Sequence, residues 1–135
     1  MIVDDDQENK RLMEIAFNQA NVTNPLAFVY DGIELLEYLR EPSHIDASPG
    51  IILLDLNMPK MNGLETLKAL KKNESWKKIP VIIFSNSDYE KDIEESYQLG
   101  ASSYIVKPGS FDKLVSLLES IKTFWFECAM LPRLI

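Results

Sequence analysis

The stretch IILLDLNMPKMNGLE, residues 51–65, changes its structural period part-way and so decides the fold. Its first four residues are apolar without any polar alternation, which is the pattern of a strand covered on both faces. Asp55 ends the run, Asn57-Met58-Pro59 turns the chain, and helical spacing takes over from Gly63 to Lys72. Outward from this stretch the same alternation recurs. Short apolar or β-branched runs stand at Ile2–Val3, Leu26–Tyr30, Ile51–Leu56, Val81–Ser85 and Ser103–Val106. Segments of helical period lie between and after them: Glu8–Ala20, Ile33–Leu39, Gly63–Lys72, Asp88–Leu99 and Phe111–Cys128. Five strand–helix units in a row predict an α/β fold, a doubly wound five-stranded parallel sheet with five helices covering both faces.

Local punctuation agrees with this division. Gly32 follows the second run, Pro80 opens the fourth, Gly100 is placed to end the fourth helix, and Ser87 and Ser110 are placed to cap the helices after them. In the first helix Leu12, Ile15, Ala16 and Gln19 repeat at three and four. In the last, Leu114, Leu117, Leu118, Ile121, Trp125 and Cys128 form a comparable stripe, which makes Cys128 a small core residue. No repeat, low-complexity tract or linker divides the 135 residues, so one domain over 1–135 is expected, with 123–135 an apolar extension of the last helix.

Composition narrows the function. A net charge of −7 with a pI near 4.7 offers no basic stripe for nucleic acid. The longest apolar runs, IILL and VIIF, are too short to span a bilayer, so no membrane role is expected. The MIVDDD start lacks a basic region and an apolar signal core, and a lone cysteine excludes an internal disulfide; both fit the cytoplasm.

In a doubly wound sheet, ligands bind beyond the carboxyl ends of the strands. Those ends carry Asp4-Asp5-Asp6, Asp55, Ser85-Asn86-Ser87 and Lys107-Pro108. Parallel strands bring these groups to one rim. Clustered carboxylates repel unless a cation sits among them, and Mg2+ suits a few carboxylates completed by water and phosphate oxygens. A carboxylate in such a site can attack a phosphoryl donor and become an acyl phosphate, with the metal and an ammonium group stabilising the transferring oxygens.

The stretches VDDD (3–6), IILLDLNMPKMNGLE (51–65), PVIIFSNSD (80–88) and LGASSYIVKP (99–108) together resemble the receiver domains of two-component response regulators. SNSD at 85–88 and the tail KTFWFECAMLP also resemble small stand-alone regulators of the cyanobacterial phytochrome partner type. The resemblance implies a flavodoxin-like sheet of order 2-1-3-4-5 and a phosphorelay protein that catalyses only its own phosphorylation and dephosphorylation. It places the phospho-acceptor on Asp55, the conserved-type lysine on Lys107, and the switch residues on Ser85 and Tyr104. It places metal ligands on Asp5, Asp55 and the Asn57 backbone carbonyl, with Asp4 acting indirectly. Pro108 holds the peptide after Lys107, which in that family is often cis. The implied partners are a histidine kinase or phosphotransfer protein and a downstream protein target.

Plainer readings stand beside these. Asp55 could be an ordinary strand-end aspartate, and Asp4 and Asp5 could serve the helix dipole, as Asp6 does as a cap. Ser85 could bond local backbone, and Tyr104 either packs permanently with its hydroxyl at the surface or rotates with phosphorylation. His44, in the polar stretch PSHIDASP, has no expected chemistry. The pattern also departs from the family: the first strand is short, Gly109 replaces an apolar residue, and Ser85 replaces threonine. An aspartyl-phosphate phosphatase would want a second carboxylate where Asn57 stands. A phosphorylation-independent interaction module keeps the fold without the chemistry. The apolar tail Phe124-Trp125-Phe126 predicts a homodimer through the last helices, or a tail folded over its own surface.

Overall fold

The computed structural model describes residues 1–47 and 49–132. Its elements are β1 (Ile2–Val3), α1 (Gln7–Gln19), β2 (Phe28–Val29), α2 (Gly32–Arg40), β3 (Ile52–Leu54), α3 (Gly63–Lys72), β4 (Val81–Ser85), α4 (Glu90–Gln98), β5 (Ser103–Val106) and α5 (Phe111–Ile121). The five strands form one parallel sheet in the order β2-β1-β3-β4-β5, the doubly wound arrangement expected from the alternation.

Both faces of this sheet are covered, which is why its strands lack polar alternation. Ile52 and Leu54 point to the side where Leu35, Leu36, Leu67 and Leu70 of α2 and α3 pack. Leu53, Ile82 and Phe84 point to the other side, against Met13, Ala16 and Phe17 of α1 and Leu114, Leu118 and Ile121 of α5. Helix α4 lies at the margin, and Ser96 is its one buried residue among those described.

The helix starts are set by side chains. Asp6, Asp31, Asn62 and Ser110 cap α1, α2, α3 and α5, and Asn62 forms a reciprocal capping box with Glu65. Gly100 follows α4 with φ of +101°, a backbone shape that glycine adopts without a Cβ penalty. A 3-10 turn at Pro42–Ala47, which no periodicity announced, carries His44 stacked on Tyr38 at 3.9 Å.

Several expectations need correction. The buried stripe of α1 is Met13, Ala16 and Phe17, whereas Leu12 and Ile15 are 42% and 48% exposed. Apolar residues on both flanks of this helix allow two phasings, and the one that buries the larger Phe17 ring prevails. Cys128 is exposed, not core. Beyond Ile121 the helix widens into a π-helical stretch, Lys122–Cys128, so the roughly 100° step per residue that would have aligned Cys128 with Ile121 no longer holds. Ser87 does not cap α4, whose N-cap is Tyr89, without a side-chain bond. The tail partly folds back: Trp125, Phe126 and Leu131 pack on the α1–α5 layer, while Phe124 and Met130 stay exposed. Residues 133–135 of the expected extension lie outside the described residues. Among the described residues no peptide is cis, so Lys107–Pro108 is trans, the form that X–Pro bonds favour by ~0.5–1 kcal/mol.

Candidate functional site

Strand register gathers the site. Val3 pairs with Leu54, so the next residues, Asp4 and Asp55, leave the sheet side by side. Ser85 pairs with Val106 one strand further on, which sets Lys107 just beyond the same rim. The Lys107 amide donates to the Ser85 carbonyl at 2.8 Å, fixing where its side chain sets out.

The Lys107 ammonium lies 3.1 Å from Asp4 Oδ2 and 3.1 Å from Asp55 Oδ2, and all three side chains are nearly buried. Asp55 Oδ1 accepts from the Asn57 amide at 3.2 Å. Asp4 accepts through Oδ1 from the Asp6 amide and through Oδ2 from the Asn9 side-chain amide. One oxygen from each of Asp4, Asp5 and Asp55 lies within 4.8 Å of the others. Asp5 is the exposed member and so opens the cluster to solvent. Asp6 turns away to cap α1 through the amides of Glu8 and Asn9.

The electrostatics follow from one ammonium serving two carboxylates. Burial pushes the Asp55 carboxyl above its ordinary value of 3.8, and Lys107 and the Asn57 amide only partly oppose this. Burial alone would lower Lys107, but Asp55 and Asp4 together outweigh it and hold the ammonium above 10.5. The cluster is thus short of positive charge. Its donor set is hard oxygen, the chemistry a small divalent cation prefers.

Ser85 is fully buried, and its Oγ accepts from the Ser87 amide at 3.2 Å, leaving the hydroxyl hydrogen to donate. The Tyr104 hydroxyl is not left free at the surface. Tyr104 is half-buried, and its hydroxyl donates to the Ser87 carbonyl at 2.7 Å, tying β5 to the loop after Ser85. Asn57 is exposed on the turn after β3. Gly63 lets α3 start against this turn: a Cβ there would lie 2.3 Å from the Asp55 carbonyl oxygen. Two cavities flank the cluster. One of about 130 Å3 is lined by Asp4, Asn9, Asn86 and Lys107, and a groove of about 520 Å3 by Asp5, Asn57, Met58 and Asp92. Asn9 and Asp92 were not anticipated, and Ser87 was expected only at the rim and as a cap, because polar residues at a helix start or in a loop ordinarily read as caps and solvated surface.

With this geometry in place, the chain matches the response regulator receiver domain over residues 1–119. The chain belongs to that family. It is similar to the response regulator Rcp1 of Synechocystis sp., 31% identical over 134 residues that cover 98% of this chain and 91% of the relative. A solved structure of the phosphorylated cyanobacterial phytochrome response regulator RcpA superposes with a TM-score of 0.87 at 38% identity, covering 97% of this chain and 95% of that one. The Mn(2+)-bound form of Rcp1 gives 0.83 at 32%, covering 97% and 96%. Receiver domains work in two-component signalling and bind a divalent metal at an acidic pocket. The Asp4–Asp5–Asp55 group is an acidic cluster of this kind. No helix among the described residues is long and apolar enough to cross a membrane.

Proposed function

We propose that this receiver accepts a phosphoryl group on Asp55 from the phosphohistidine of a histidine kinase or phosphotransfer protein, acting in the cytoplasm as a lone receiver domain. The observation that carries the reading is the Lys107 ammonium held 3.1 Å from both Asp4 and Asp55, beside the carboxylate of Asp5. An Asp55 oxygen attacks phosphorus, the P–N bond breaks, and the imidazole leaves with that electron pair and takes a proton. Lys107 shifts its Asp55 contact to a phosphoryl oxygen while keeping Asp4 as its anchor. The buried Ser85 hydroxyl donates to a second phosphoryl oxygen. Asp5, Asp55 and the Asn57 backbone carbonyl would hold Mg2+, with Asp4 acting indirectly. When bound, that ion neutralises charge on the transferring oxygens. Hydrolysis of the acyl phosphate returns the domain to its starting state.

The output is protein contact. Adding a near-dianionic group beside Ser85 and Lys107 draws both inward, and the β4–α4 loop and Tyr104 follow. Phe124, 57% exposed, and Met130, 96% exposed, leave an apolar surface that also suits self-association. Sedimentation with and without residues 123–135 tests the latter, and an unchanged mass refutes it. The acceptor assignment is tested by intact mass after exposure to acetyl phosphate with Mg2+. One added phosphoryl group is expected, lost in Asp55→Asn; full labelling of Asp55→Asn overturns it.

A further inference from the structure

The start of α1 is built around one carboxylate. Asp4 accepts through Oδ1 from the Asp6 amide at 2.9 Å. Through Oδ2 it accepts from the Lys107 ammonium at 3.1 Å and from the Asn9 side-chain amide at 3.3 Å. The helix itself aims Asn9. Asp6 caps α1 and also accepts from the Asn9 backbone amide at 3.5 Å, and a first-turn side chain leans back toward the helix N-terminus. Asn9 is half-buried and lines the cavity of about 130 Å3 with Asp4, Asn86 and Lys107. Two side chains from opposite ends of the chain thus meet on a single oxygen of Asp4. That sharing matters when Lys107 moves. The ammonium bonds both Asp4 and Asp55, and taking up a phosphoryl group requires it to release Asp55 while keeping Asp4. The carboxylate torsion of an aspartate is soft, so a group held by Lys107 alone would turn with it. A second donor, rooted in α1, fixes the carboxylate instead.

We infer that Asn9 is a positioning residue: it holds Asp4 in place so that Lys107 can leave Asp55 for a phosphoryl oxygen without carrying the carboxylate along. Its amide suits the task because it donates without adding charge to the cluster. The plainer alternative is a polar first-turn residue that only supports the start of α1. That role predicts a change in stability with Lys107 unaffected. The part concerning phosphoryl transfer rests on Asp55 as acceptor, whereas the hold on Asp4 and Lys107 does not.

The experiment uses the full chain with Asn9→Ala, Asn9→Gln, Asp4→Ala and the double variant Asp4→Ala with Asn9→Ala. In chelator, without phosphorylation, Asn9→Ala should shift the ammonium nitrogen resonance of Lys107. The protons on that nitrogen should exchange on the order of fivefold faster, the effect of one lost hydrogen bond. With acetyl phosphate and saturating Mg2+, Asn9→Ala should reach the parent's stoichiometry, also on the order of fivefold more slowly. Asn9→Gln, which keeps the amide on a longer stem, should restore both readings. Free Mn2+, counted by electron paramagnetic resonance, should show the parent's affinity in Asn9→Ala, because Asp4 acts on the ion only indirectly. In the Asp4→Ala background, removing Asn9 should change neither the Lys107 resonance nor the labelling rate. An unmoved Lys107 resonance in Asn9→Ala overturns the inference, as does a parental labelling rate. A further loss on adding Asn9→Ala to Asp4→Ala overturns it too, and so does weakened Mn2+ binding in Asn9→Ala, which would place Asn9 at the ion. If the parent takes up no phosphate, the reading of Asp55 fails and the Lys107 resonance still decides the role of Asn9. If Asn9→Ala does not fold, Asn9→Leu carries the same measurements.

Discussion

Replacing Lys107 by methionine tests the electrostatic argument, because an unbranched apolar side chain is kept while the ammonium, which also lies 5.8 Å from the centre of the Phe84 ring, goes. At 3.1 Å, each contact of Lys107 with Asp4 and Asp55 has a gross attraction of about 5 kcal/mol at an effective dielectric near 20. Most of that offsets the burial of the ammonium. What remains after substitution is two nearly buried carboxylates without their cation, with oxygens at most 4.8 Å apart and a gross repulsion of at least about 3.5 kcal/mol at the same dielectric. Breaking a buried pair on one side typically costs about 3–5 kcal/mol. Exposed Asp5 lets water into the cluster, so the low end, about 3 kcal/mol, is expected here. For a chain of this size that is a fall in Tm of roughly 10 °C.

Urea unfolding at pH 7 in chelator measures the loss, and repeating it in millimolar Mg2+ should restore part of it. The pH dependence supplies a second test. In the parent, Lys107 is raised above 10.5, so its stabilisation is complete below that value and fades as pH rises through the folded value. In Lys107→Met the penalty comes from ionised carboxylates, so it is present at pH 7 and shrinks as pH falls and they protonate. A loss below about 1 kcal/mol at pH 7, the range of an exposed pair, refutes the reasoning. So does a loss that stays constant between pH 7 and pH 4.

Asp55→Asn should be more stable than the parent at pH 7 in chelator, by on the order of 1 kcal/mol. Burial raises Asp55 above 3.8, so its contribution is complete below that pH and lost as pH rises through the folded value; the advantage of Asn should therefore vanish in urea titrations below pH 4. Gly63→Ala places a Cβ 2.3 Å from the Asp55 carbonyl oxygen and 2.6 Å from Leu56 Cα, so β3 and its aspartate must shift. About 2 kcal/mol of stability should go, and acetyl phosphate labelling should slow on the order of tenfold. Gly100→Ala forces a positive φ and a 3.2 Å contact with the Lys71 stem. It should cost about 1–2 kcal/mol by calorimetry and leave labelling unchanged.

How much of this was legible in the sequence depends on what fixes each residue's position. The limits of β1 and β4 were readable because apolar runs covered on both faces stop where a polar residue must leave the sheet, while those of edge strand β5 and helix α3 were readable from β-branched composition before Lys107-Pro108 and from helical spacing after Gly63. Asp4, Asp55, Ser85 and Lys107 were readable for the same reason: each lies at the end of a strand or one residue past it, and parallel register does the gathering. The phase of α1 was not, because Leu12, Met13, Ile15, Ala16 and Phe17 permit two apolar stripes and only volume against α5 chooses between them. Cys128 failed because a change of helical pitch after Ile121 leaves no mark in a pattern read at constant pitch. Asp92 and Asn9 were invisible, and the partners of Ser87 were not foreseen, because those bonds are chosen by loop geometry and rotamer rather than by register.

That division bears on how the site functions. Groups placed by register cannot move without breaking a buried sheet, so Asp4, Asp55 and the backbone of Lys107 form a fixed frame. Groups placed by loop bonds, Ser87 and Asp92 above all, can rearrange at the expense of a few hydrogen bonds. The fixed frame is short of positive charge by construction, with three carboxylates around one ammonium. A cation relieves that imbalance, and a phosphoryl group restores it while demanding new donors. Lys107 can supply one donor by a small shift within the frame. Under the proposed function the Ser85 hydroxyl, carried on the fixed end of β4, has to leave the Ser87 amide to face the group, so the loop beyond it answers to the charge held by the part that cannot move.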